Sequence, residues 1–205
     1  MVWISCRIGD GLLPLGAFKQ TLLGAAGVSS GCAIVLLATQ TASSDASLAF
    51  TSLIDSTYNE YIFVFDNLHS TNDGANLNFQ AGASYNTTIT SGAFRAENSE
   101  SGSNNFGYAA ANVQAQGTGE QMLFHELDND NDSSVCGELH FFNPSNTTYV
   151  KNWFARVSGN KNSDTSMTVF TSGYFNTTSA LTQVRFTIAS GSIQSGTIRM
   201  YGVTQ

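Results

Sequence analysis

Charge is what this sequence has least of. Only 11% of its 205 residues are Asp, Glu, Lys or Arg, against about 25% in ordinary soluble domains. Proline occurs twice and cysteine three times. Eight cationic residues, scattered along the chain, make no basic cluster, so no nucleic-acid partner is expected. Cys6, Cys32 and Cys136 are odd in number and far apart. They show no CxxC or zinc spacing, so three free thiols are expected. The apolar stretch Cys32 to Ala38 is far too short to cross a bilayer, and no membrane partner is expected. The first residues, MVWISCRIGDG, lack a basic start followed by an apolar core, so no secretory leader is expected either.

What remains is apolar and neutral-polar. Hydrophobic residues make up 41% of the chain, enough for a full core, and the net charge is −7. The polar surface must come from Ser, Thr, Asn and Gln, which suit sheets and turns and form helices poorly. Nineteen glycines against two prolines fit many tight turns.

The end of the chain is the clearest segment. Val184, Phe186 and Ile188 alternate with Arg185 and Thr187. After a Gly/Ser turn, Ile198 and Met200 alternate with Arg199 and Tyr201. Period-two alternation of this kind marks half-buried strands. Upstream, CAIVLLATQ and ASLAFTSL flank a turn at Thr41–Asp45. Tyr58 to Asp66 carries apolar residues on both faces, which predicts a central strand covered on both sides. Leu77 and Phe79 mark another strand, and residues 81 to 104 read as Ser/Asn/Gly-rich with one short strand around Phe94. Further strands are expected at Phe106–Val113, Glu120–Leu127, Cys136–Phe142, Thr148–Val157 and Met167–Phe175. About eleven strands spaced 8 to 15 residues apart, with no helices between them, predict an all-β antiparallel β-sandwich that is jelly-roll-like. The Asn-Thr-Thr triplets at Asn86, Asn146 and Asn176 are read as turn and edge residues.

Residues 1 to 31 differ from the rest. Leu12-Leu13-Pro14-Leu15 and Leu22-Leu23-Gly24-Ala25 are apolar and broken by glycine and proline. They predict an extended N-terminal anchoring arm ahead of a sandwich at 32–205. The alternative is a first helix, with Phe18, Leu22 and Leu23 packed on the same domain.

Three constellations carry possible chemistry. Asp128, Asp130 and Asp132 stand at every second position, as carboxylates around a hard cation do. The positions where an EF-hand needs Gly and Glu hold Ser133 and Leu139, so the expectation is an acidic hairpin loop rather than a calcium site. His125–Glu126 and Glu138–His140 sit on strands expected to form one hairpin, where a particular register would gather a His/Glu zinc set. Glu126 and Glu138 are also the only pair resembling glycosidase carboxylates, and nothing marks them as lining a cleft. No GxSxG, HExxH or phosphate-binding glycine loop is present. The expectation is therefore a non-enzymatic protein with no catalytic, cofactor-binding or metal residues. Among the aromatics, Tyr58, Tyr61, Phe63, Phe65, Trp153, Phe154, Phe170, Tyr174 and Phe186 are expected mostly in the core. Tyr85, Phe106, Tyr108, Tyr149 and Tyr201 are expected at the surface; a few of them could form a sugar platform, and packing between sheets or subunits is the simpler expectation.

Three segments carry a family resemblance: TASSDASLAFTSLIDSTYNEYIFVFDNLHSTNDGANLNFQ, GELHFFNPSNTTYVKNWFARVSG and GYFNTTSALTQVRFTIASGSIQSGTIRMYGV. Together, over roughly residues 40 to 203, they resemble the small β-sandwich virion proteins of tailed bacteriophages. The ending Gly196-Thr197-Ile198-Arg199-Met200-Tyr201-Gly202 is similar to that family's usual ending. The resemblance implies a structural protein located in the virion, most simply a capsid-decoration (cement) protein. Its partners would be the major capsid protein and sister subunits, with a trimer as the expected homo-oligomer. The alternative it leaves open is a tail or fibre component that recognises a host-surface glycan through loop residues near Tyr85, Asn104, Tyr108 and Asp128–Asp132.

Overall fold

The computed structural model describes residues 33–204. The anchoring arm expected at residues 1–31, with Cys6 and Cys32, lies outside the described residues. The described secondary structure is antiparallel β apart from one 3-10 turn at Ala110–Asn112. The strands are β1 (Ile34–Thr41), β2 (Ser47–Phe50), β3 (Glu60–Ser70), β4 (Ala75–Ala81), β5 (Ile89–Ser99), β6 (Asn104–Tyr108) and β7 (Ala115–Gly117). They continue with β8 (Gln121–Leu127), β9 (Val135–Phe142), β10 (Lys151–Lys161), β11 (Thr165–Phe175), β12 (Val184–Ala189) and β13 (Ile193–Val203).

The all-β expectation holds, with thirteen strands described rather than eleven. One wall runs β1-β13-β3-β9-β10-β11-β5, with β6 and β7 both on the far side of β5. The facing wall runs β8-β4-β12-β2. The walls are joined by one ladder pair, Lys161–Leu127, between β10 and β8. At the opposite seam the Gln40 side-chain amide donates to the Ala49 carbonyl at 3.3 Å. The two layers are therefore a single sheet, nearly closed into a barrel.

Closure encloses an aromatic core. The Phe186 ring of β12 lies 5.3 Å from Phe63 and 5.2 Å from Phe65 of the facing wall, and 6.2 Å from Phe79 beside it. Phe79 meets Trp153 edge-on at 4.9 Å. Such tilted and edge-to-face contacts suit the ring quadrupole and tie the walls together. Alternation sets the inward face: Lys151, Trp153, Ala155 and Val157 are buried on β10, while Asn152, Phe154, Arg156 and Ser158 are exposed. Lys151 is buried because its Nζ donates to the carbonyls of Tyr149, at 2.6 Å, and Thr177, at 3.3 Å.

Three expectations need correction. β3 is central, between β13 and β9, but it is not covered on both sides: Tyr61, Phe63 and Phe65 are buried, whereas Ile62 and Val64 stay half-exposed on the outer face. The single short strand around Phe94 is eleven residues long, because β11 pairs with it along its whole length. The strand expected to run to Val113 stops at Tyr108 and turns into the 3-10 segment.

Two glycines are required by close approach. Gly196 has φ +103° within the irregular stretch of the β13–β3 ladder, and a Cβ there would lie 2.3 Å from the Asn67 carbonyl oxygen. Gly202 lies under the Tyr58 ring, where a Cβ would be 2.5 Å from Cγ.

Candidate functional site

The sequence-marked carboxylates do not form one site. β8 and β9 are consecutive but are not hydrogen-bonded to each other. β8 pairs with β4 and touches β10, and β9 pairs with β3 and β10. The expected hairpin is therefore absent, and His125–Glu126 and Glu138–His140 fall on different walls. Glu126 pairs with Lys161 at 2.9 Å, and Glu138 with Arg156 at 3.1 Å. The hydrogen bond from Lys161 holds the Glu126 carboxyl below its ordinary range. His125 is buried among Glu97, Arg95, Lys161 and Glu126. Burial, and then the Arg95 charge, push its imidazole pKa down. His140 bonds Glu60 through Nδ1 at 2.5 Å and lies on the outer face.

Asp128, Asp130 and Asp132 come together with Glu100 and Asp164 around a polar concavity of about 390 Å³. Their geometry is that of a turn. Asp128 accepts from the Asp130 amide at 3.1 Å and from the Ser133 hydroxyl at 2.8 Å. Among the described residues, no group of three or more His, Cys, Asp or Glu is arranged to hold a metal ion. Of the Asn-Thr-Thr triplets, the one at Asn146 makes a turn: Asn146 Oδ1 accepts from the amides of Thr148 and Tyr149 at 2.7 and 2.9 Å.

Every described cation is engaged. Arg95 meets Glu97, Arg185 meets Glu120, Arg199 meets Asp66, and Arg156, Lys161 and Lys151 have the partners given above. No described helix is long and apolar enough to cross a membrane.

The feature that sequence reasoning missed is aromatic. Phe154 and Phe170, expected in the core, point outward from β10 and β11. They share the broad outer face of the larger wall with Phe94 of β5 and with Phe106 and Tyr108 of β6, which are 74% and 67% exposed. Register explains the pattern. One row across the wall reads His140, Phe154, Ser172, Gly92, and the next reads Glu138, Arg156, Phe170, Phe94, Tyr108. The Phe154 ring stacks on His140 at 4.4 Å and 12°, and Phe170 stacks on Phe94 at 4.9 Å and 9°. Between these two stacks the small residues Ser172 and Gly92 leave an apolar depression of about 480 Å³, rimmed by Phe154, Phe170, Phe94 and Tyr108. On the other side of Phe170 a second depression, about 460 Å³, is lined by Arg156, Ser158 and Thr168.

The loop residues expected to serve a glycan are not gathered. Tyr85 lies under the Arg185 guanidinium, 4.3 Å from its carbon, and its hydroxyl meets Gln183. Tyr108 lines the aromatic depression, whereas Asp128, Asp130 and Asp132 line the acidic concavity. Cys136 is an exposed free thiol, and Tyr149 is 70% exposed. Comparison with protein-family models, with curated proteins and with solved structures finds no match to this chain, so the resemblance to phage virion proteins rests on its three sequence segments.

Proposed function

We propose that this chain is a non-enzymatic structural protein of a bacteriophage virion, acting as a capsid-decoration protein that docks on the major capsid protein beside sister copies. One observation supports the docking role. β1 is an edge strand, paired on one side with β13. At its start Ile34, Val35 and Leu36 are all exposed, at 65%, 37% and 53%. An unpaired strand edge that is also apolar invites another chain, and proteins that remain single avoid it with charge or proline. Here neither protects it. The arm expected at residues 1–31, outside the described residues, is proposed to share this docking role. Charged residues are sparse, 11% of the chain, which limits repulsion between neighbouring copies.

Val35→Lys tests the docking role. Lysine at an exposed edge position leaves the fold intact, within about 0.5 kcal/mol, and removes the apolar contact. The variant and the unaltered chain are expressed during infection, and particles are banded on a density gradient. The unaltered chain should band with particles at a copy number comparable to the shell subunit, and the lysine variant should stay at the top. Equal incorporation of both would refute docking through this edge. A copy number of only a few per particle would place the protein in the tail instead.

A further inference from the structure

We propose that the outer aromatic face of the larger wall is a binding site for neutral oligosaccharides. This goes beyond the docking role and uses a different surface, four strands away from β1 in the sheet order.

The inference starts from the rings. Phe154 and Phe170 stand upright on neighbouring strands; Phe154 is stacked by His140 and tilted against Phe142, and Phe170 is stacked by Phe94. The other face of Phe154 looks over the Ser172–Gly92 gap, and the other face of Phe170 looks toward Arg156 and Ser158. A pyranose ring has an apolar side of C–H groups, which lies well against the negative face of an aromatic ring. The stacking partners fix both rings in place, so little rotamer freedom remains to be lost on binding.

Hydrogen-bonding groups flank the rings. Arg156 and Glu138 form an ion pair at 3.1 Å, with the arginine side chain 57% exposed. Ser158 and Thr168 share a hydrogen bond at 3.0 Å between their hydroxyls. A planar guanidinium and a carboxylate can each engage two neighbouring hydroxyls. From Phe154 to Ser158 the strand covers about 14 Å, more than one sugar ring requires. The two depressions lie on either side of the Phe170 ring.

Charge selects the ligand class. Arg156 is neutralised by Glu138, and no further described cation lines either depression. An anionic lipid, a nucleic acid or a sulfated sugar would find no net positive field there, whereas a neutral polyhydroxylated ligand needs none. An extended peptide adding as a strand is disfavoured too, because β9, β10, β11 and β5 have ladder partners on both sides.

The test uses the full chain and glucan, mannan and galactan oligosaccharides of two to six residues as probes, measured by calorimetry. At least one series should bind. Phe154→Ala and Phe170→Ala should each weaken it by about tenfold or more, while Tyr149→Ala, exposed elsewhere, should leave it unchanged. Saturation transfer from the aromatic protons of the unaltered chain to the bound sugar reads the same contact without any variant. Three results would overturn the proposal: no probe binding, binding that survives both phenylalanine variants, or a face occupied by self-association that Phe154→Ala abolishes while no sugar binds. None of these touches particle docking through β1, which the Val35→Lys experiment reads separately.

Discussion

Phe186 is the residue on which the two walls meet, so its truncation should be the most damaging single change to the aromatic core. Its ring has four aromatic neighbours: Phe50, Phe63, Phe65 and Phe79, at 5.2 to 6.3 Å. It is fully buried. Phe→Ala in a packed core costs about 3–5 kcal/mol, because the apolar transfer is lost and a cavity remains. Ring-pair geometry adds to each contact, but the pairs share one ring and do not sum. We take about 4 kcal/mol for Phe186→Ala. In a chain of this size that lowers Tm by roughly 8–16 °C. Phe170→Ala is the matched comparison: the same substitution on an outward ring with one stacked partner. It should cost only about 1 kcal/mol. Thermal and urea unfolding followed by circular dichroism measures both. If the two variants lose equal stability, the assignment of inward and outward faces to β11 and β12 is wrong, and with it the placement of the aromatic face.

Other perturbations probe other parts of the fold. Gly202→Ala drives a Cβ into the Tyr58 ring and should cost about 1–3 kcal/mol; in a Tyr58→Ala background most of that cost should vanish, and additive losses in urea melts would show that the ring is not the obstacle. The pKa of His125 is pushed below the value near 6.5 that it has when unfolded. As pH falls below that value the unfolded chain takes up the proton first, so stability should drop between pH 7 and 5.5. The drop should be smaller in His125→Gln, and identical pH slopes would remove His125 from the account. The lowered carboxyl of Glu126 adds a second loss, below about pH 4.5, which Lys161→Met should diminish.

The sequence carries the class of the fold well, because period-two alternation is a direct consequence of strand geometry. Val184, Phe186 and Ile188, and Ile198 and Met200, are all buried as their spacing demands. Alternation divides residues between two faces, however, and says nothing of what covers each face. Along β10 the division of Trp153 from Phe154 was legible, but an aromatic on either face reads as core until the facing wall is known. The wall that covers Trp153 is β4, through Phe79, 74 residues upstream. No second layer covers Phe154, only the His140 and Phe142 rings beside it. Pairing is illegible for a related reason. Strands β8 and β9 follow each other with a short acidic loop, the usual signature of a hairpin, yet they depart to opposite walls because β9 fills the place between β3 and β10. That choice rests on ladders formed with distant strands, such as Glu60 opposite Phe142, 82 residues away. A functional reading from local motifs therefore gathered His125, Glu126, Glu138 and His140, which the fold separates. It passed over Phe94, Phe154 and Phe170, which register between distant strands brings together. In a protein with so little charge, the informative surface groups are rings on the outer face of a sheet, and their grouping is fixed only by register across β9, β10, β11 and β5.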